Sequence, residues 1–518
     1  MRIASSGGAD ADGVVGDLAL THVRNAHARK NCSGPLIAAR CDDEMHACMN
    51  HSSHSLTHSS ARARARDGRM RASNAAKVAF VSSNDGATFG EVNAIVFVVF
   101  AAACVCAQMR GVVVVTHDDG VDVALGFVLA YAGLAAMFAP ELARSVAGVA
   151  FAGCLATWSW SLARRWRDAS TRPSHVETSV LREGVTTYRF VLTTLTITAI
   201  LAIDFDLFPR RLGKTETYGL SLMDIGGGSY VFSSGFVSSL ARFGEENERG
   251  RKFQKRGGFL ALVALGVARL AATTAVGYHT VESEYGRYWN FFFTLALVKL
   301  LASAAPRDRV ASTATAIAAM YQCALLANGG ALGAWILQDP RERAHPQVRH
   351  LARWFLSVNR EGIFSSIGYL CIYLGAASFG KMFLFSRKDG VGSFGKWLRD
   401  AVSMTGALWA LTVFSHESIE RASRRAGNVA YVAWTLAYNM QVIVAFTALR
   451  RLDARQTTVS SVVTSVSTNQ LFVFLLSNVL TGGVNLAMDT TRASASTAWL
   501  VMSAYLAMVL GCARMRSA

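Results

Sequence analysis

The sequence predicts an all-α fold, a polytopic transmembrane helical bundle, and three observations carry that expectation. The chain is 52% hydrophobic and only 17% charged over 518 residues, a balance unusual for a soluble protein of this length. From Val92 to the C-terminus, apolar runs of about 17 to 22 residues recur, each long enough to cross a hydrocarbon core roughly 30 Å thick. Only 7 prolines occur in the whole chain, which leaves those runs free to form long helices. The alternating segments of a membrane β-barrel are missing.

The elements follow in order. Residues 1–76 are rich in Ala, Arg, Ser and His and hold half of the 12 histidines. They contain no apolar run and are expected to form a disordered extension. Cys32, Cys41, Cys48, His46, His51 and His54 lie there at irregular spacings that match no metal site. Residues 77–518 are expected to form one membrane domain of about thirteen spans. The spans centre near residues 100, 130, 152, 198, 230, 267, 296, 322, 374, 407, 438, 476 and 504. Asn328-Gly-Gly330 interrupts the run from Ala311 to Leu337, which reads as one broken helix or two short ones.

Charge orders these spans. The net charge of +17 is spread over short Lys/Arg clusters between apolar runs, so it reads as a topology signal and gives no basis for nucleic-acid binding. Arg164, Arg165 and Arg167 form one such cluster, Arg249 to Arg256 another, and Arg387, Lys388 and Lys396 a third. Arg450, Arg451 and Arg455 follow, then Arg514 and Arg516. Basic connections stay cytosolic, which puts the N-terminus in the lumen and the C-terminus in the cytosol. The opposite connections collect the unusual polar residues: Asp204 to Glu216, His279 to Asn290, Asn359 to Glu361, Arg424 to Asn428 and Asn485 to Asp489. A motif-bearing face opposite a plainly basic one fits an active site opening to one side. A transporter would show repeats and broken helices contributed by both halves.

One of those connections reads Ile203-Asp-Phe-Asp-Leu-Phe-Pro-Arg-Arg-Leu-Gly-Lys-Thr-Glu-Thr217, followed by Tyr218-Gly-Leu-Ser-Leu-Met-Asp-Ile-Gly-Gly-Gly-Ser229. This run resembles the inositol acyltransferases of GPI-anchor biosynthesis. Further segments occur in the same order as in that family: Phe80-Val-Ser-Ser-Asn84; Glu284-Tyr-Gly and Trp289-Asn-Phe-Phe-Phe293; Asn359-Arg-Glu-Gly362; Ser423-Arg-Arg425 to Asn428; Ala437-Tyr-Asn439; and Asn469-Gln, Asn478 and Asn485 to Thr490. The resemblance covers roughly residues 77 to 512. It implies that a long-chain acyl-CoA is the co-substrate, that no cofactor or metal is permanently bound, and that the acceptor is the inositol ring of glucosaminyl-phosphatidylinositol in the endoplasmic reticulum membrane. Family members carry His where this chain has Val281 and Tyr288, so no catalytic histidine is expected in that loop.

Thioester-to-alcohol transfer needs a proton acceptor for the hydroxyl and a cation or donor for the carbonyl oxyanion. Asp204 and Lys214 are the expected catalytic pair. Asp204 ends a long apolar helix, where desolvation raises a carboxylate's basicity, and the Pro209 turn is expected to fold Lys214 back against it. The bland alternative is an ion pair at the membrane edge with Lys214 reaching the headgroups. Arg210 and Arg211 match phosphate geometry, and equally match interfacial anchors. Glu216, Asp224, Glu284 and Arg425 join them as candidate substrate-binding residues. So do Asn290, Asn439, Asn485 and Asp489, polar groups at or inside apolar runs, for which interhelical hydrogen bonding is the competing role. The rival functions are a multi-pass acyltransferase for another lipid, which would place a histidine inside a span, and a lipid transporter.

Overall fold

The structure is a computed structural model that describes residues 84, 86–112, 119–140, 178–242, 248–275, 282–338, 351–385, 394–452 and 459–517. The expected extension at 1–76 and the span near residue 152 lie outside these residues. The described chain is helical, and its helices in order are α1 (Phe89–Val112), α2 (Asp119–Phe138), α3 (Thr178–Ala202), α4 (Leu222–Phe236), α5 (Glu248–Ala275), α6 (Glu282–Tyr285), α7 (Phe291–Ala302), α8 (Val310–Leu337), α9 (Leu351–Val358), α10 (Arg360–Phe379), α11 (Phe394–Ser418), α12 (Val429–Leu452), α13 (Ser461–Thr468), α14 (Gln470–Ala487) and α15 (Ala495–Ser517). Every other expected span centre falls inside one of these helices. Among the described residues, 8 helices are long and apolar enough to cross a membrane: α1, α3, α5, α8, α10, α12, α14 and α15. Of the other five expected spans, the one near residue 152 lies outside the described residues, α4 and α7 have only 15 and 12 residues, and α2 and α11 are not among the eight.

Local chemistry explains how these helices survive burial. In α3 the hydroxyls of Thr193, Thr194 and Thr198 donate back to the carbonyls of Arg189, Phe190 and Thr194 at 2.7–3.0 Å, so polar side chains enter the core already satisfied. At the start of α1, Thr88 and Glu91 exchange hydrogen bonds, Thr88 N–H to the carboxylate at 3.0 Å and Glu91 N–H to the hydroxyl at 3.2 Å, a reciprocal cap on the first turn. In α8 the run Asn328-Gly329-Gly330 adopts φ of 52°, 68° and 82°. The expected interruption is therefore a left-handed break that glycine tolerates.

Glycines bring α4 into contact with its neighbours. A Cβ on Gly228 would sit 2.7 Å from Thr435 of α12, and one on Gly235 would collide with the Tyr373 carbonyl of α10. Such small-residue contacts let helix backbones approach closely where lipid offers no hydrophobic drive for packing. The polar connections then gather at one end of the bundle. Gly219 N–H donates to the Ala422 carbonyl at 2.8 Å, and Arg287 N–H to that of Val358 at 3.0 Å. The Tyr218 hydroxyl donates to Glu420 at 3.0 Å. At the other end of α3, Arg450 of α12 donates through Nε to Glu183 at 2.9 Å.

Candidate active site

A cavity of about 180 Å³ opens beneath the gathered connections. Its long wall is α3, from Tyr188 through Val191, Leu192 and Leu195 to Ala199 and Ile200. At a rise of about 1.5 Å per residue, those positions extend about 18 Å along the helix. Ile225 and the glycines of α4, Val442 of α12 and Phe474 of α14 complete the apolar sides. At the deep end Asn439 is fully buried. It accepts from the Tyr188 hydroxyl at 2.8 Å and donates to the Thr435 carbonyl at 2.7 Å.

The rim is ionic. Lys214 donates from Nζ to Glu284 Oε1 at 2.6 Å. Behind it lies a buried centre in which Asp224 Oδ1 accepts from Arg424 Nε at 2.8 Å. The other Asp224 oxygen accepts from Thr215 N–H, the Thr215 hydroxyl and the Ser221 hydroxyl at 2.8–3.1 Å. Ser221 is also the N-cap of α4, taking the Asp224 N–H at 3.0 Å. The Asp224 backbone and side chain thus both fasten the start of α4 to the rim. Arg424 lies over the Tyr285 ring, 5.7 Å from its centroid, a cation–π contact.

These charges hold one another. Burial pushes the Glu284 carboxyl up, but Lys214, Arg424 and Arg269 outweigh it and bring its pKa down to about 2. Burial also works against the Arg424 charge, and Asp224, Tyr285 and Glu284 outweigh that, holding it above the ordinary arginine value. Glu284 is therefore a firmly ionised carboxylate, and Arg424 stays charged.

The structure corrects the expected catalytic ion pair. Lys214 pairs with Glu284, and Asp204 accepts a hydrogen bond from Asn485 Nδ2 at 2.7 Å. The reason is the turn between them. Arg210 fills its interior, donating to the carbonyls of Ile203, Phe205 and Phe208 at 2.5–3.0 Å, just past the end of α3. Asp204 is left at the end of α3, one turn beyond the cavity-lining Ile200, while Lys214 crosses to α6. Arg211 pairs with Glu91 at 2.8 Å, the same carboxylate that caps α1. Neither arginine of the turn lines the cavity, contrary to a role in gripping phosphate there.

The remaining candidates divide the same way. Glu216 and Arg425 pair at 2.7 Å beside the rim. Asn290 is the N-cap of α7, accepting from Phe292 N–H at 3.0 Å while donating to the Gly266 carbonyl at 2.9 Å. Both ends of its amide serve the fold. Asn485 also accepts from Thr490 at 3.3 Å, and the half-exposed Asp489 caps the turn at Thr491. Only Lys214, Glu284 and Asn439 of the expected set line the cavity. Arg269, Arg424 and Tyr285 line it too and were missed. Arg269 carried a readable signal, a charge inside the apolar run Gly258–Ala275. The Ser423-Arg-Arg425 segment had drawn attention, but sequence does not say which of its arginines is buried.

Residues 73–515 match the GWT1 family model. The chain belongs to the GWT1 family. A GWT1 relative from Saccharomyces cerevisiae, the GPI-anchored wall transfer protein 1, is 32% identical over 362 residues, covering 63% of this chain and 71% of that protein. Its counterpart in Eremothecium gossypii is 30% identical over 463 residues, 80% of this chain and 91% of that one. The phosphatidylinositol-glycan biosynthesis class W protein of Dictyostelium discoideum is 30% identical over 358 residues, covering 61% and 70%. The GWT1 match takes in every rim and cavity residue named above.

Proposed function

We propose that the chain is an O-acyltransferase of GPI-anchor biosynthesis in the endoplasmic reticulum membrane, moving a long-chain acyl group from acyl-CoA to an inositol hydroxyl of glucosaminyl-phosphatidylinositol. The observation that carries this reading is the cavity of about 180 Å³, whose walls are largely apolar and whose lining takes in the charges of Lys214, Glu284, Arg269 and Arg424. An acyl chain fits those walls, and its thioester then lies at the rim. The names of the relatives support the pathway. The charge pattern of the connections supports a lumenal rim and a cytosolic C-terminus.

At the rim the acceptor hydroxyl adds to the thioester carbonyl, its proton passes to a base, and the coenzyme A thiolate leaves. Glu284, held at a pKa of about 2, is too weak a base for this step near neutrality. We assign the proton to Asp204, held by Asn485 one turn beyond the cavity wall, with the acceptor hydroxyl reaching the thioester from that side. Lys214 supplies positive charge to the oxyanion, and Glu284 keeps that ammonium in place.

The test is expression in cells lacking inositol acylation, followed by incubation of their microsomes with labelled glucosaminyl-phosphatidylinositol and acyl-CoA. A phospholipase-C-resistant acylated product is expected from the wild-type chain and not from Asp204→Asn or Lys214→Met. A wild-type chain that yields no such product would overturn the reading.

A further inference from the structure

Arg269 and Arg424 are each left with unspent donors at the cavity. Arg424 is nine-tenths or more buried, yet its Nη2 has no hydrogen-bond partner among the described residues. Arg269 sits well inside the α5 span and lines the same cavity. It makes no guanidinium hydrogen bond or ion pair with any described residue. An arginine inside a span is costly, and it faces a partner or a wet cavity when it persists. Arg269 is itself exposed, so it stands at the open, lipid-facing side of the cavity, next to the other two cations.

Charge balance sets the size of the missing anion. Lys214, Arg269 and Arg424 face two carboxylates, Glu284 on the cavity wall and Asp224 behind Arg424. One positive charge stays uncompensated at the open side of the cavity, where it attracts an anion. A phosphodiester carries one negative charge and two oxygens matched to guanidinium donors. The several phosphates of coenzyme A carry a larger charge than this seat balances.

The walls indicate how such an anion arrives. Only 11% of the α5 span and 17% of the α14 span are buried in the protein, against 78% of the α12 span. Yet α5 gives Arg269 to the cavity and α14 gives Phe474 and Asn478. Leu262 of α5, Phe292 of α7 and Phe474 of α14 pack in one cluster, so the lining on this side is backed directly by lipid-facing helices.

We propose that Arg269, together with the free Nη2 of Arg424, is the seat for the single phosphodiester of a diacyl inositol lipid whose tails stay in the bilayer along α5 and α14. This inference rests on the acyl-transfer reading for the acceptor's identity, and binding can be tested without turnover. The full chain in nanodiscs is titrated with phosphatidylinositol and, separately, with diacylglycerol of the same acyl chains, and retention is read by native mass spectrometry. Wild type is expected to retain phosphatidylinositol over diacylglycerol, Arg269→Gln to lose roughly ten- to a hundredfold of that preference, and Arg269→Lys to keep part of it. Equal retention of both lipids by wild type, or an unchanged preference in Arg269→Gln, would overturn the seat. In the acylation assay, Arg269→Gln should raise KM for the inositol lipid and leave KM for acyl-CoA within about twofold. A rise in the acyl-CoA KM alone would move the anion to coenzyme A and defeat the proposal. An inactive wild type that still prefers phosphatidylinositol would defeat the acyl-transfer reading and spare the seat.

Discussion

Two arginine-rich regions meet at the same end of the bundle, and they use the same side chain for opposite purposes. In the Pro209-Arg-Arg turn, Arg210 spends its donors on the carbonyls of Ile203, Phe205 and Phe208, and Arg211 spends its own on Glu91. At the cavity, Arg424 keeps Nη2 unspent and Arg269 makes no such bond among the described residues. A motif that looks like a phosphate grip is thus scaffold, and the cations available to a ligand come from elsewhere in the chain. Guanidinium groups stabilise whatever carbonyls or carboxylates satisfy them first, so only those held away from helix ends keep donors for substrate.

Breaking the cavity side should have the largest effect. Arg424→Ala leaves the Asp224 carboxylate buried without its countercharge and should cost about 3–5 kcal/mol of stability, read as a fall in the thermal unfolding midpoint of the detergent-solubilised protein. Lys214→Met should lower that midpoint by less than Arg424→Ala, because the Lys214–Glu284 pair is partly exposed and Arg424 still faces Glu284. It should slow acyl transfer by roughly a hundred- to a thousandfold in kcat, if the ammonium stabilises an oxyanion. On the scaffold side, Arg210→Ala strips several carbonyls at the end of α3 of their donor and should cost about 1.5–3 kcal/mol, with KM for both substrates held in the fraction that folds. Arg211→Ala removes a side chain that is 39% exposed and should cost under about 1 kcal/mol.

A pH series sharpens the contrast by the smallest effect. The Glu284 pKa falls from an ordinary 4.5 to about 2 in the folded chain. Its contribution to stability is therefore complete above about pH 4.5 and is lost as the pH falls from there toward 2. The unfolding midpoint of Glu284→Gln should depend less on pH across that window than that of wild type. Parallel curves would show that the three cations around Glu284 do not hold it.

Much of the fold was legible because bilayer thickness and helical rise together fix the length of an apolar run. The left-handed break in α8 was visible as Asn328-Gly-Gly330, since few residues other than glycine and asparagine tolerate positive φ. The end of the bundle that holds the site was visible too, through the alternation of basic and polar connections. The partners were not. Asp224 meets Arg424 from 200 residues away and Asn485 meets Asp204 from 281. Linear order says that such loops share a side of the membrane, and nothing about which neighbour each faces. Lys214 went to Glu284 because the turn's interior was already occupied by Arg210, a competition that spacing alone does not reveal. Arg269 was overlooked because one charge among apolar residues reads first as an imperfection in a span.

The stretch just ahead of α1 has a role that its position outside the helices conceals. Asn84 donates from its amide to the Lys214 carbonyl at 3.3 Å, and Ala87 N–H donates to the Leu220 carbonyl at 2.6 Å. Gly86, at φ 92°, fits against Leu220 where a Cβ would come within 2.6 Å of its carbonyl oxygen. An expression design trimmed back to Phe89 would retain every described helix and still remove the strap that buttresses the loop carrying Lys214.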